Sequence, residues 1–196
     1  MSLLLWTTLA GSGPSPSNDE FRPGSIMSYQ QHQAAANAQQ TAARVVVVTL
    51  SDSRTAATDT AGQRIRQLLI DNGHTIVDQH ILSNDPAAIA SFLDALLPRR
   101  DVDVVVTTGG TGISRRDHTI AVLEPRLVRQ IPGFGELFRL LSFQQIGPGA
   151  MLSRATAGIA QSKLIFAMPG SPDAVELAMT KLILPELRHL LRELNR

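Results

Sequence analysis

Runs of consecutive apolar residues alternate along this chain with segments whose apolar residues recur every three or four positions. "RVVVVTL", from Arg44, is a short, continuous, β-branched run and reads as a strand buried on both faces. "DTAGQRIRQLLIDNG" comes next, with Ile65, Leu68 and Leu69 on one stripe and Gly73 as a stop, and reads as a helix. "HTIVDQHIL" alternates like a second strand. "DPAAIASFLDALL" carries Asp85 at the N-cap, Pro86 at the first helical position, and Ile89, Phe92, Leu93 and Leu96 on one face. "VDVVVTT" is another buried strand. "HTIAVLEPRLVRQ" and "GFGELFRLLSFQQ" are expected as helices. "GIAQSKLIFAMPG" holds a strand at 164–167, with room for a second. The final helix is expected over "SPDAVELAMTKLILPELRHLLREL", capped by Ser171, opened by Pro172 and kinked at Pro185.

Strands alternating with helices imply right-handed crossovers, and hence an α/β fold in three α/β/α layers with a mostly parallel sheet. In such folds ligands bind at the carboxyl ends of the strands. "TLSDSR", "TTGGTG" and "FAMPGS" all fall there, so three separate loops converge on one edge.

Residues 1–42 carry no comparable pattern. "GSGPSPSNDEFRPGS" is linker chemistry, and "YQQHQAAANAQQTAA" is polar Gln/Ala sequence with no apolar stripe. A disordered extension is expected there, with a short helix over 30–40, and then one domain at 43–196. The single Trp (Trp6) and single Tyr (Tyr29) lie in that extension, and Met27 offers an alternative start codon. "MSLLLWTTLAGSG" lacks the basic flank and the long apolar core of a signal peptide, so a cytoplasmic location is expected.

The 196 residues suffice for one domain with a substantial core. A net charge of +1 gives no field that selects nucleic acid or an anionic membrane. With no cysteine, disulfides, thiolate catalysis and Cys-ligated metals are excluded.

The chemistry concentrates in "TTGGTGISRRDHT". Gly109, Gly110 and Gly112 permit positive φ and close approach of a ligand, and successive N–H groups in such a turn form an anion-binding concavity. The same glycines also suit a plain strand-to-helix turn. No lysine comes after them, so this is not a Walker A loop. The dinucleotide fingerprint would belong after the first strand, where "SDSRTAATD" stands instead, which weighs against a nucleotide-dependent oxidoreductase.

Asp117 beside an anion site repels a phosphate unless a cation lies between, which points to Mg²⁺. The alternative is the N-cap of the helix from about His118. Asp85 carries the same two readings. Arg115 and Arg116 are either solvated charges or, in one case, an oxyanion clamp. His118 reads as exposed-loop material. Ser51 and Asp52 end the first strand, as ligand hydrogen-bonders or as a turn. Ser171 is a helix cap or part of an anion site.

With these residues in place, the chain resembles the MoaB/MogA family of molybdenum-cofactor biosynthesis. "TLSDSR", "DNGH", "TTGGTGISRRDHT", "IPGFGELFR", "LSFQQIG", "MLSRATAG" and "FAMPGSPDAVELA" recur in family order and spacing, from Arg44 to about Leu190. "GFGELFR" with "MLSRATAG" is more similar to MoaB than to MogA. The resemblance implies a three-layer α/β/α fold, a homo-trimer or hexamer, and adenylylation of molybdopterin by Mg-ATP with release of pyrophosphate. It also implies other molybdenum-cofactor enzymes as partners, and neither nucleic acid nor membrane. Carried over, Asp85 and Asp117 match the family's catalytic and metal-associated aspartates. Thr108, Gly109, Gly110, Thr111, Gly112 and Arg116, with Pro169, Gly170 and Ser171, match its ligand loops, and Ser51 and Asp52 join them from the first strand. Family members usually continue "RDxT" with Pro-Glu, whereas Ile120 and Ala121 stand here, so a catalytically silent molybdopterin- or partner-binding protein is the alternative expectation. The segment 131–158 is expected to build the oligomer, because its helix is apolar on more than one face.

Overall fold

The computed structural model describes residues 42–196 together with Gln31, which is helical. The readings of a disordered extension, of Met27 as a start and of the 30–40 helix otherwise lie outside the described residues.

Six strands form one sheet in the order β2-β1-β3-β6-β5-β4. β1 (Arg44–Leu50), β2 (Thr75–Leu82), β3 (Val104–Thr108) and β6 (Lys163–Met168) are parallel, and β5 (Thr156–Ala160) and β4 (Arg129–Gln130) extend the sheet antiparallel. The helices are α1 (Thr60–Asp71), α2 (Pro86–Leu96), α3 (Thr119–Leu123), α4 (Pro132–Ile146), α5 (Pro172–Ala178) and α6 (Leu184–Leu194).

The valine runs explain the layering. Successive side chains of a strand point to opposite faces, so an unbroken apolar strand needs cover on both. Val45, Val47, Val104 and Val106 pack with Ile65 and Leu69 of α1, Phe134 and Phe138 of α4, Val175 of α5 and Leu187 of α6. Val46, Val48 and Val105 pack with Ile89, Leu93 and Leu96 of α2 and Ile120 and Leu123 of α3. The result is the expected three-layer α/β/α architecture.

Two elements differ from the expectation, and a third settles a choice that the expectation left open. The helix expected over "HTIAVLEPRLVRQ" is only α3 and a 3-10 turn, Glu124–Arg126, after which the chain becomes β4. Pro125 has no N–H to continue the helical ladder. The edge of β5 captures the next residues: Val128 N–H donates to Ile159 O (2.8 Å) and Ile131 N–H to Ala157 O (2.7 Å). "GIAQSKLIFAMPG" resolves into a hairpin, β5–β6. Its turn residues Gln161 and Ser162 have φ of 45° and 60°, the left-handed pair that a two-residue hairpin of matching twist requires. The last helix does not merely kink at Pro185. Five residues, Met179–Ile183, form a π-helical stretch between α5 and α6. Placing Pro185 one residue into α6 removes one donor and would crowd the carbonyl of Lys181; the wider turn absorbs both.

Among the described residues, no helix is long and apolar enough to cross a membrane.

Candidate functional site

β2 lies on one side of β1 and β3 on the other, so the connections leave β1 and β3 in opposite directions. The ends of those two strands are the switch point at which such sheets usually bind ligands. The loops after β1, β2, β3 and β6 meet there.

The loop after β1 is tied down by its own polar residues. Ser51 N–H donates to Leu82 O (2.8 Å), and Ser51 Oγ accepts from the amides of Ser53 and Arg54. Asp52 Oδ1 accepts from Asn84 N–H (2.9 Å), which joins this loop to the one after β2. Ser51 and Asp52 therefore serve the turn reading directly and frame the switch point.

In the loop after β2, Asp85 is the N-cap of α2. Its Oδ2 accepts from Ala88 N–H (2.7 Å), and the residue is exposed. Beside it, Asn84 Oδ1 is buried with no hydrogen-bond partner and reaches the Gly110 backbone. The β2 and β3 loops are thus in direct contact.

The loop after β3 is the centre of the site. Thr108 Oγ1 donates to Pro169 O (2.9 Å), and Gly109 N–H donates to Met168 O (3.0 Å), binding this loop to the one after β6. Gly109 and Gly110 have φ of 92° and 62°. Positive φ disfavours any side chain here, and space forbids one too. A Cβ on Gly109 would collide with Leu50 O, and one on Gly110 with Thr119 Oγ1 and Asn84 Oδ1. The glycines thus let three strand-end loops pack backbone to backbone. Gly112 is not in the left-handed region. It is a glycine because Asp117 Oδ2 would lie 2.8 Å from its Cβ. Gly170 likewise approaches the Cα of Gly109.

Asp117 is not the helix N-cap. That position belongs to His118, which makes no side-chain cap bond. Asp117 Oδ2 instead accepts from Ser114 N–H (2.8 Å), closing the Ser114–Asp117 turn, and no partner engages its Oδ1 among the described residues. Spacing does not reveal this, because the chain makes that extra turn before the helix starts. Thr119 closes the loop from the far side: its Oγ1 donates to Gly109 O (2.9 Å) and its N–H to Gly110 O (3.0 Å). Thr111 is buried, and the guanidinium of Arg116 is exposed and makes no ion pair among the described residues. Ser171 Oγ caps α5 by accepting from Ala174 N–H (3.3 Å), which is the plainer of its two readings.

The amides of Gly110, Thr111, Gly112 and Ile113 donate to nothing among the described residues. Successive amides without partners in a strand-end turn are the kind of donor set that can bind an oxyanion. Asp117 lies beside Gly112, and Asp85 follows Asn84, which reaches Gly110; each carboxylate has one oxygen unengaged among the described residues. No group of three or more acidic or His side chains able to hold a metal occurs among the described residues. Two carboxylates fit Mg²⁺, which takes one or two and completes its shell with phosphates and water.

Sequence reasoning missed Arg154. Its Nε donates to Thr111 O (2.8 Å), and its Nη2 to Gly112 O (2.6 Å) and Asp117 O (3.2 Å). It lies inside "MLSRATAG", but nothing in the spacing shows that an arginine 37 residues beyond Asp117 returns to the same loop.

Residues 46–189 match the family described as probable molybdopterin binding domain. A molybdenum cofactor biosynthesis protein B of Bacillus anthracis is 50% identical over 154 residues, covering 78% of this chain and 91% of that protein. The crystal structure of a molybdenum cofactor biosynthesis protein B superposes with a TM-score of 0.77 at 47% identity, over 80% of this chain and 98% of that one. The tungsten cofactor synthesizing protein MoaB of Pyrococcus furiosus superposes with a TM-score of 0.72 at 32% identity, over 80% and 99% of the two chains. With its sheet order, its convergent glycine loops and these relatives in agreement, the chain belongs to the MoaB/MogA family of molybdopterin-binding domains.

Proposed function

We propose that this protein acts in molybdenum-cofactor biosynthesis by adenylylating molybdopterin with ATP. The observation that carries the reading is the row of unpartnered amides at 110–113, in the loop that bears Asp117 and in contact with the loop that bears Asp85. A phosphate oxygen of molybdopterin attacks the α-phosphorus of ATP. The new P–O bond forms as the bond to the β-phosphate bridge breaks, and that electron pair leaves with pyrophosphate. No protein nucleophile is needed. The obstacle is bringing two polyanions together, and fixed donors aimed at the developing charge, with positioning, address it.

In this reading the amides at 110–113 hold a phosphate, and the exposed Arg116 guanidinium supplies mobile positive charge in the same loop. Asp117 and Asp85 are the residues to hold Mg²⁺, which when bound offsets phosphate charge. Pro169, Gly170 and Ser171, which follow β6 and are tied to Thr108 at the end of β3, form one wall, and Ser51 and Asp52 the opposite wall. The test is direct: purified protein with molybdopterin, Mg²⁺ and ATP releases pyrophosphate in a molybdopterin-dependent way.

One observation favours a second reading. Ala121 is exposed in the first turn of α3, and Ile120 is buried in the core, so the positions after Thr119 offer no acid toward the site. A silent binding protein would take up molybdopterin in the same experiment and release no pyrophosphate.

The assembly belongs to the same proposal. α4 buries Phe134 and Phe138 but exposes Leu137, Leu140, Phe143 and Ile146, and the next turn exposes Met151 (78%) and Leu152. An apolar face of this extent calls for cover, and a second copy of the chain in a homo-trimer or hexamer supplies it. Phe143→Glu is expected to shift the mass seen by light scattering toward the monomer. A wild-type monomer at micromolar concentration would overturn this part. Cytoplasmic location and association with other molybdenum-cofactor enzymes belong to the same pathway reading.

A further inference from the structure

Arg154 stands just before β5, outside the strand-end loops, yet its guanidinium is devoted entirely to the backbone of the loop after β3. It takes the carbonyls of Thr111, Gly112 and Asp117 and, among the described residues, pairs with no carboxylate. A trans peptide unit points its C=O and the following N–H in opposite directions. The three carbonyls that Arg154 holds therefore belong to peptide units whose N–H groups are those of Gly112, Ile113 and His118. None of these N–H groups has a partner among the described residues. The chain contains no cis peptide among them. Gripping the carbonyls from behind thus turns the amides toward the other side. A cation on a carbonyl oxygen also strengthens the donor at the far end of the same peptide unit, since linked hydrogen bonds polarise one another.

We propose that Arg154 is a positioning residue that orients and polarises the amides of Gly112, Ile113 and His118 for the phosphate of the ligand. The planar fork is suited to this task. It spans two neighbouring carbonyls and a third from the other end of the loop, which a point-like ammonium does not reproduce. The inference rests on the reading of the loop as a phosphate site, and it assigns that site's geometry to a residue that touches no ligand.

The test uses the full chain with Arg154→Ala and Arg154→Lys, read in two independent ways. In ¹⁵N-resolved spectra, Arg154→Ala is expected to move or broaden the amides of Gly112, Ile113 and His118 while those of Gly62 and Gly158 in the core stay put. Millimolar guanidinium, but not sodium chloride, is expected to return the loop signals. In the pyrophosphate assay, Arg154→Ala is expected to lower kcat at least tenfold with a smaller change in KM for ATP. Guanidinium should restore part of it, and Arg154→Lys should fall between Arg154→Ala and wild type. Loop amides unchanged in Arg154→Ala would overturn the proposal. So would core amides displaced in both variants with no recovery in guanidinium, which would make Arg154 a packing residue only. If the wild-type chain releases no pyrophosphate, adenylyl transfer fails as a reading, while the spectra still decide the role of Arg154.

Discussion

At the amino end of β1, Arg44 grips Asp103 through Nε (3.0 Å), Nη2 (2.7 Å) and its own amide (2.9 Å), and Ala43 N–H donates to Nδ1 of buried His74 (3.1 Å). Asp103 N–H returns to Arg44 O, Leu164 N–H to Asp103 O, and Thr75 N–H to Ala43 O, so the starts of four strands are stitched together. At the carboxyl end of the same strands, glycines bring loop backbones into contact and four successive amides are left without partners among the described residues. One edge ties its backbone groups to one another and to Asp103 and His74, while burying a lysine and the histidine, whose Nε2 has no partner among the described residues. Burial lowers the pKa of Lys163, with Asp103 opposing. The other edge holds unsatisfied donors in fixed positions. Of the residues bearing these amides Thr111 is buried, Gly110 and Gly112 are half-buried and Ile113 is exposed, so an external acceptor can reach them. The contrast is what the proposed ligand site rests on.

The sharpest way to break the contrast is at Gly110. Gly110→Val puts a β-branched residue at φ of 62° against Thr119 and Asn84. Molybdopterin binding is expected to fall at least a hundredfold by calorimetry, with a loss of stability of about 2 kcal/mol. Gly147→Val supplies the control, because Gly147 has φ of 64° with nothing near its Cβ position. It should lose stability from the dihedral alone and keep its affinity. Equal loss of affinity in both variants would show that Gly110 serves only the turn.

Asp117→Asn comes next. The amide oxygen preserves the bond from Ser114 N–H while the charge is removed. Pyrophosphate release is expected to drop about a hundredfold, or roughly 2.7 kcal/mol of barrier, with molybdopterin binding retained. Turnover within threefold of wild type would remove Asp117 from the catalytic machinery.

The amino edge makes its own prediction through pH. Burial first, and Arg188 second, lower the pKa of His74 from its ordinary value to about 4. The folded state therefore keeps His74 neutral at pH values where the unfolded chain binds a proton. Its contribution to stability is complete above about pH 6.5, shrinks as pH falls, and levels off near pH 4. The total loss is on the order of 3 kcal/mol. Thermal unfolding between pH 7 and 4.5 should show this slope in wild type and a flatter one in His74→Gln, with molybdopterin affinity at pH 7 unchanged in the variant. A matching slope in both would place the titration elsewhere.

The smallest effect is expected for Arg44→Ala. The pair with Asp103 is half-exposed, and such pairs contribute little. A slight fall in Tm is expected and no change in ligand affinity; a large loss of affinity would contradict the separation of the two edges.

Much of this is legible from pattern. The valine runs of β1 and β3 declare two buried faces, and Asp85, Ser171 and the prolines after them mark helix starts that the structure keeps. Convergence of the glycine loops comes from strand–helix alternation alone. Features decided by partners distant in sequence escape. β4 exists because the edge of β5 captures Val128 and Ile131, and no local signal in "RLVRQI" announces that. The β5–β6 turn uses Gln161 and Ser162 at positive φ, where neither residue is a usual signal. A carboxylate before a helix commonly caps it, which is why pattern offers that role for Asp117; its bond to Ser114 depends on a turn that spacing does not show. Arg154 is invisible for the same reason as β4.

The most direct measurement of the separation between the edges is a titration of molybdopterin into the ¹⁵N-labelled full chain. The largest shifts are expected at the amides of Gly110, Thr111, Gly112 and Ile113, with smaller ones at Asp85 and Asp117 and none at His74, Asp103 or Leu164. Shifts concentrated at the amino edge, or at the exposed face of α4, with the 110–113 amides unmoved, would contradict the account.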